Sequence, residues 1–186
     1  MYRAIVRLGL GLALVLLAAV ATAADYAVQY PQSRLGFTAT FQGVAFEGHF
    51  ERWQAAIRYD PADLAQSRFD VEVDTASAKT GDADRDNALP GADFFDAAHY
   101  PRAHYVTTGF RRVGNQVIAD GTLTLRGISR PVSLTVTFVP DGKTATLDVA
   151  GTLKRLDFGV GGGEYADTSV IGNEVQVKAH LALLAR

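Results

Sequence analysis

The stretch from residue 117 to residue 138, VIADGTLTLRGISRPVSLTVTF, decides the fold. In its first half Val117, Ala119, Gly121, Leu123 and Leu125 form one face, with Asp120, Thr122, Thr124 and Arg126 among the residues opposite. In its second half Val132, Leu134, Val136 and Phe138 alternate with Ser133, Thr135 and Thr137. Successive side chains leave a pleated backbone in opposite directions, so a period of two marks a strand whose two sides meet different surroundings. Here one side is apolar and the other polar, as in an antiparallel sheet with one dry and one wet face.

The same pattern extends both ways along the chain. Leu35, Phe37, Ala39 and Phe41 alternate with Arg34, Gly36, Thr38 and Thr40. Phe46, Gly48 and Phe50 flank Glu47 and His49, and Phe69, Val71 and Val73 flank Asp70 and Glu72. Beyond the Asp141-Gly142 turn signal, Leu147, Val149 and Leu153 face one way, against Thr146, Asp148, Thr152 and Lys154. The last strand sets Val175, Val177, Ala179, Leu181 and Leu183 against Glu174, Gln176, Lys178 and His180. Short antiparallel strands in this number form either a closed barrel or a two-sheet sandwich. A barrel hides its edges and has one continuous inner surface.

Two segments do not alternate. In Gly81 to Pro101, Asp82 or Asp84 is placed to cap a short helix ending near Leu89, before the breakers Pro90 and Gly91. Ala92 to His99 is expected to add a second helical turn or two, so that the insertion over residues 82–99 covers one end of a barrel. The glycine cluster from Gly159 to Gly163 precedes no helix, which argues against a phosphate cradle and for a flexible loop at a barrel mouth.

The chain has 186 residues, 48% hydrophobic and 20% charged, enough for one domain with a buried core. Its first two dozen residues read as an export signal. Arg3 and Arg7 precede an uncharged run from Leu8 to Val20, and Ala21-Thr22-Ala23 matches a small-x-small cleavage site, with cleavage after Ala23 or Ala24. The alternative is an uncut membrane anchor. The domain expected after processing, residues 25–186, has 16 cations against 20 acids, a net charge of −4. No basic excess exists to neutralise phosphates, which argues against nucleic acid as a partner. The absence of cysteine excludes disulfides, thiolate metal sites and a cysteine nucleophile.

Catalytic and metal signals are weak, and neither a catalytic nor a metal-ligating residue is assigned. His49, His99, His104 and His180 have no common metal-ligand spacing, and His49 and His180 belong on wet faces. No serine sits in a nucleophile elbow. The acidic cluster of Asp82, Asp84, Asp86, Asp93 and Asp96 around Arg85 lacks the glycine and terminal glutamate of a calcium loop, so capping and ion pairing with Arg85 is the simpler reading. Trp53, the single tryptophan, reads as core or barrel-end packing. What remains is the dry face itself. Side chains either fill it as a core, or small residues such as Gly36, Gly48, Gly121 and Ala179 leave an apolar cavity.

Three segments resemble the YceI-like proteins, a bacterial periplasmic family with a lipocalin-like barrel associated with polyisoprenoid binding. The first comprises Asp25-Tyr26, Ser33 to Phe37, Gly48-His49-Phe50 and Asp60-Pro61. The second is Thr80-Gly81, Arg85-Asp86, Leu89, Asp93 to Asp96 and Tyr100-Pro101. The third is Gly121 to Val132, with Arg155 to Gly159 further on. Members often carry a histidine where Phe41 stands. The resemblance implies an all-β, antiparallel lipocalin-like β-barrel of about eight strands. It further implies no catalysis, no cofactor beyond a bound isoprenoid lipid or quinone, and a homodimer or an inner-membrane protein as further partners. The expected lumen lining is Leu35, Phe37, Phe41, Phe50, Phe69, Val71, Leu123, Leu134, Val136, Phe138, Leu147, Val149, Val177 and Leu181. The expected function is a periplasmic carrier of an amphipathic isoprenoid lipid. Two other readings are an envelope or stress factor acting through protein contacts, and a redox or haem-linked accessory resting on the four histidines.

An arginine introduced at Leu134 or Val136 is expected to abolish lipid uptake or folding, because an unpaired buried charge is costly. Circular dichroism and lipid uptake, measured on each variant, check this.

Overall fold

The structure, a computed structural model, describes residues 24–186. The expected export signal lies outside them, apart from Ala24, which opens the first strand. Eleven strands form one antiparallel sheet. They are β1 (Ala24–Val28), β2 (Arg34–Phe41), β3 (Val44–Phe50), β4 (Trp53–Tyr59), β5 (Arg68–Asp74), β6 (Ala78–Lys79), β7 (Arg102–Val113), β8 (Gln116–Leu125), β9 (Ile128–Asp141), β10 (Thr144–Lys154) and β11 (Glu174–Ala185). Three pairs of these continue one another. β1 pairs with β4 while β2 pairs with β3, and β5 pairs with β4 while β6 pairs with β3. Taken as continuous, β1–β2, β3–β4 and β5–β6 join the other five to make eight staves in sequence order. β11 closes the ring, pairing with β10 along one edge and with both β2 and β1 along the other. The result is an all-β barrel, one of the two architectures that the alternation allows and the one that the family resemblance implies, not a sandwich.

The three composite staves break side by side, at residues 29–33, 51–52 and 75–77. A broken ladder leaves backbone donors and acceptors that must find partners when buried. Hydroxyls supply them. The fully buried Ser77 Oγ accepts the Arg52 N–H at 3.1 Å and donates to the Asp74 carbonyl at 2.7 Å. The buried Thr75 hydroxyl donates to the Tyr100 carbonyl at 2.8 Å. Ser33 Oγ accepts the Ala182 N–H at 3.0 Å and donates to the Gln29 carbonyl at 2.9 Å.

Four strands escape the sequence reading, the short β1 and β6 and the longer β4 and β7. β4 alternates plainly, with Trp53, Ala55, Ile57 and Tyr59 on the inner face. β7 does not. Ala103, Tyr105 and Thr107 point inward, then the register slips between Thr107 and Gly109 and brings Phe110 to the inner face. This bulge reverses the parity of the strand midway and hides it from a period-two test.

The helical insertion forms only in its first half. α1 spans Ala83–Ala88 and is capped by Asp82, whose carboxylate accepts the Arg85 N–H at 3.0 Å. The second helical segment expected over Ala92 to His99 is instead a series of turns. Pro90 and Gly91 stop the helix, and Asp96 adopts a left-handed φ of 49°. The turns let consecutive residues Phe94 and Phe95 both pack into the barrel end.

Ser77→Ala is expected to lower stability by about 1–3 kcal/mol, since it orphans buried backbone groups of Arg52 and Asp74. Urea unfolding followed by circular dichroism measures it.

Candidate functional site

The inner faces of the staves surround a cavity of about 240 Å³. For comparison, an apolar cavity of about 150 Å³ stays dry and accepts benzene. Leu35, Phe37, Phe50, Phe69, Val71, Leu123, Leu134, Leu147, Val149, Val177 and Leu181 of the expected lining border it. Phe41, Val136 and Phe138 do not. Phe41 lies at the outer end of β2, 41% exposed, where its backbone bridges to Ile171. It is past the rim of the lumen, so keeping phase with Leu35 and Phe37 does not bury it. Val136 and Phe138 lie too far toward the other end. There the rings of Tyr26, Tyr59, Phe69, Phe110 and Phe138 pack edge to face or tilted, at 4.9–5.9 Å between centroids. With Val117, Val136, Ala145 and Leu183 they make a solid floor.

Most of the small residues expected to open the lumen do something else. Gly48 and Gly121 make room for aromatic neighbours: a Cβ on Gly48 would stand 2.2 Å from the Phe37 ring, and one on Gly121 would stand 2.6 Å from the Tyr105 ring. Gly36 alternates with Leu35 and Phe37 and so belongs to the outer face. Of the four, only Ala179 borders the cavity.

Further residues outside the expected lining border the lumen, among them Trp53, which the sequence reading placed in core or barrel-end packing. Trp53, Ala55 and Ile57 enter from β4, and their own alternation with Gln54, Ala56 and Arg58 is the signal that marks them. Phe94, Phe95, Phe158 and Val160 roof the lumen from the loops. No local pattern identifies these, because each is placed by tertiary contacts.

A buried cation holds the roof from within. Arg155, 6% exposed, follows β10 and borders the lumen. Its Nε donates to the Gly172 carbonyl, Nη1 to those of Val160 and Gly161, and Nη2 to those of Tyr165 and Ile171. All five guanidinium donors are thereby engaged. Burial lowers its pKa. The glycine-rich segment, expected to be a flexible mouth loop, is therefore pinned from within. Arg126 adds a second tie, donating from Nη1 to the carbonyls of Phe94 and Gly159.

Two hydroxyls near the lumen are also partnered. The Tyr105 hydroxyl donates to the Ala119 carbonyl at 3.2 Å, and burial raises its pKa strongly. Thr75 is bonded to Tyr100. The accessible wall is wholly apolar. Such a surface binds hydrocarbon and offers no hydrogen bond to a polar group.

None of the four histidines borders the lumen. His104, His180 and His99 pair with Asp70, Asp148 and Asp96 at 2.7, 2.6 and 2.8 Å, and His49 meets Arg34. The His104 hydrogen bond, and then that of Arg68, lowers the pKa of Asp70. Among the described residues no three His, Asp or Glu side chains gather as a metal site. Arg85, expected to pair within the acidic cluster, reaches Asp82 at 3.5 Å and lies 4.6 Å above the Phe46 ring centroid.

A YceI-like domain matches residues 26–183. A UPF0312 protein of Pseudomonas savastanoi pv. phaseolicola is 34% identical over 170 residues, covering 86% of this chain and 88% of its own length. The crystal structure of Burkholderia cenocepacia BcnA superposes with a TM-score of 0.80 at 35% identity, covering 84% of this chain and 99% of that one. A domain from Saccharophagus degradans described as polyisoprenoid-binding has a TM-score of 0.65 at 19% identity, covering 88% of this chain and 99% of its own. At that identity the likeness is one of fold.

Arg155→Met is expected to cost about 3 kcal/mol or more, because it leaves several buried carbonyls without donors. A lowered urea midpoint, and proteolytic cleavage within residues 155–173 that the wild type resists, are the readouts.

Proposed function

The chain belongs to the YceI-like family, and on that premise we propose that it is a periplasmic carrier for an amphipathic isoprenoid lipid of the polyprenol or quinone type. The observation that carries this reading is the lumen, a space inside the barrel whose accessible wall is wholly apolar and where Thr75, Tyr105 and Arg155 already bond to the protein. An isoprenoid tail needs only such a surface. Each methylene removed from water contributes about 0.8 kcal/mol, so a few buried units suffice for useful affinity. The polyisoprenoid-binding domain of Saccharophagus degradans, built on the same fold, supports this choice of ligand class. The export signal read over the first two dozen residues supports the compartment. A water-filled space between membranes is where a lipid tail needs a carrier.

Organic extraction of the purified protein followed by mass spectrometry tests the proposal, together with uptake of polyprenols and quinones by stripped protein. A bound isoprenoid, or saturable uptake of one, is expected. Protein that yields no lipid and takes none up overturns the reading. Ala179→Phe projects a ring into the empty space. It is expected to leave the circular dichroism spectrum and urea midpoint near wild type while reducing uptake by about tenfold, the effect of roughly two methylenes denied burial.

A further inference from the structure

A lumen without free hydrogen-bonding groups leaves the head of an amphipathic ligand unplaced. The break in the first two staves offers a position for it. Pairing between β2 and β3 ends at Gly36 and His49, and pairing between β1 and β4 resumes only at Tyr26 and Ile57. Residues 27–35 and 50–56 therefore lie side by side in the barrel wall without a ladder between them, although each pairs with its other neighbour. The Tyr30 side chain spans this seam. Its hydroxyl accepts the Ala55 N–H at 3.2 Å, and its ring lies edge-on to Trp53 with centroids 5.0 Å apart.

Phe50 and Trp53 border the lumen and also line an outer groove along this seam. Arg34, His49 and Glu51 stand in the groove as well. Arg52, Arg58, Arg68, Arg85 and Arg111 each pair with a carboxylate, whereas Arg34 has none among the described residues. The Arg34 guanidinium makes one side-chain contact, to His49 Nδ1 at 3.5 Å. Arginine can only donate, so in this contact Nδ1 is the acceptor. A guanidinium without a carboxylate and an imidazole thus stand in the groove beside two aromatic rings that also border the lumen.

We infer that this seam is the head-group site. The ligand tail passes between the first two staves along Phe50 and Trp53, and Arg34 and His49 hold an oxygen-rich head outside, a phosphate monoester in preference to a free alcohol. Glu51, in the same groove, accepts a hydrogen bond from the O–H of a head that is only singly ionised. The inference rests on the lumen binding isoprenoid tails.

Trp53 is the only tryptophan, so its emission reports on this position directly. Farnesyl phosphate, farnesol and farnesene share one tail and differ in the head, and each is titrated against the full chain. Arg34→Gln is expected to weaken farnesyl phosphate about tenfold, the scale of one lost charge-assisted hydrogen bond, while farnesene changes by less than about twofold. His49→Gln is expected to weaken farnesyl phosphate in the same direction. Arg130→Gln removes an equal charge from an exposed position on β9 and is expected to change neither ligand. If Arg34→Gln and His49→Gln leave farnesyl phosphate unaltered while farnesene binds normally, the head lies elsewhere and the lumen reading stands alone. If Arg130→Gln weakens farnesyl phosphate as much as Arg34→Gln, general charge is responsible and the site is overturned. If none of the three probes binds the wild type, the seam and the carrier reading both fall.

Discussion

The pairing of β11 with the start of the chain is the contact on which the rest of the molecule depends. Tyr26, Ala27 and Val28 meet Ala185, Leu184 and Leu183, and together with the longer β2–β11 ladder this pairing turns an open meander into a ring. Closure removes the sheet's exposed edges and creates an inside. The aromatic floor, the roof and the apolar lumen exist only because these opposite ends of the chain are hydrogen-bonded. Without cysteine there is no covalent staple to replace that contact, so the ring is held by backbone ladders and packing.

A ring this small also imposes a constraint. Any polar atom left on its inner side would need water or a partner, and an apolar cavity supplies neither. The chain meets this with local hydroxyls at the breaks and with one arginine under the roof. Ser33, Thr75 and Ser77 occupy positions where strands interrupt, and each returns a hydrogen bond to the backbone there. Arg155 does the same for a loop with no regular ladder. The dryness of the lumen is thus a product of polar residues as much as apolar ones.

This division explains what was legible in the sequence. The inward register of β2, β5, β8, β9, β10 and β11 followed from alternation, because one buried face forces a period of two. The Asp82 cap was legible because capping is a local property. β7 was hidden by a bulge and by inward-facing Tyr105 and Thr107, which look like surface residues until their partners are known. Depth along the barrel was not legible at all. Phe41, Val136 and Phe138 share the phase of true lining residues but lie beyond the rim or within the floor, and alternation carries no information about height. The role of Arg155 was equally hidden, since its five acceptors come from residues 160–172 and take position only when the loop folds.

The aromatic floor has a kinetic implication. A barrel closed at one end by packed rings is a cul-de-sac rather than a conduit, so a molecule held in the lumen could not be pushed through by a following one. An occupant has to leave by the way it came before a successor is admitted. Exchange then proceeds by vacancy, at a pace set by the departing molecule's own release and indifferent to how concentrated its replacement is. If the proposed carrier holds one molecule at a time, the closed end sets its holding time.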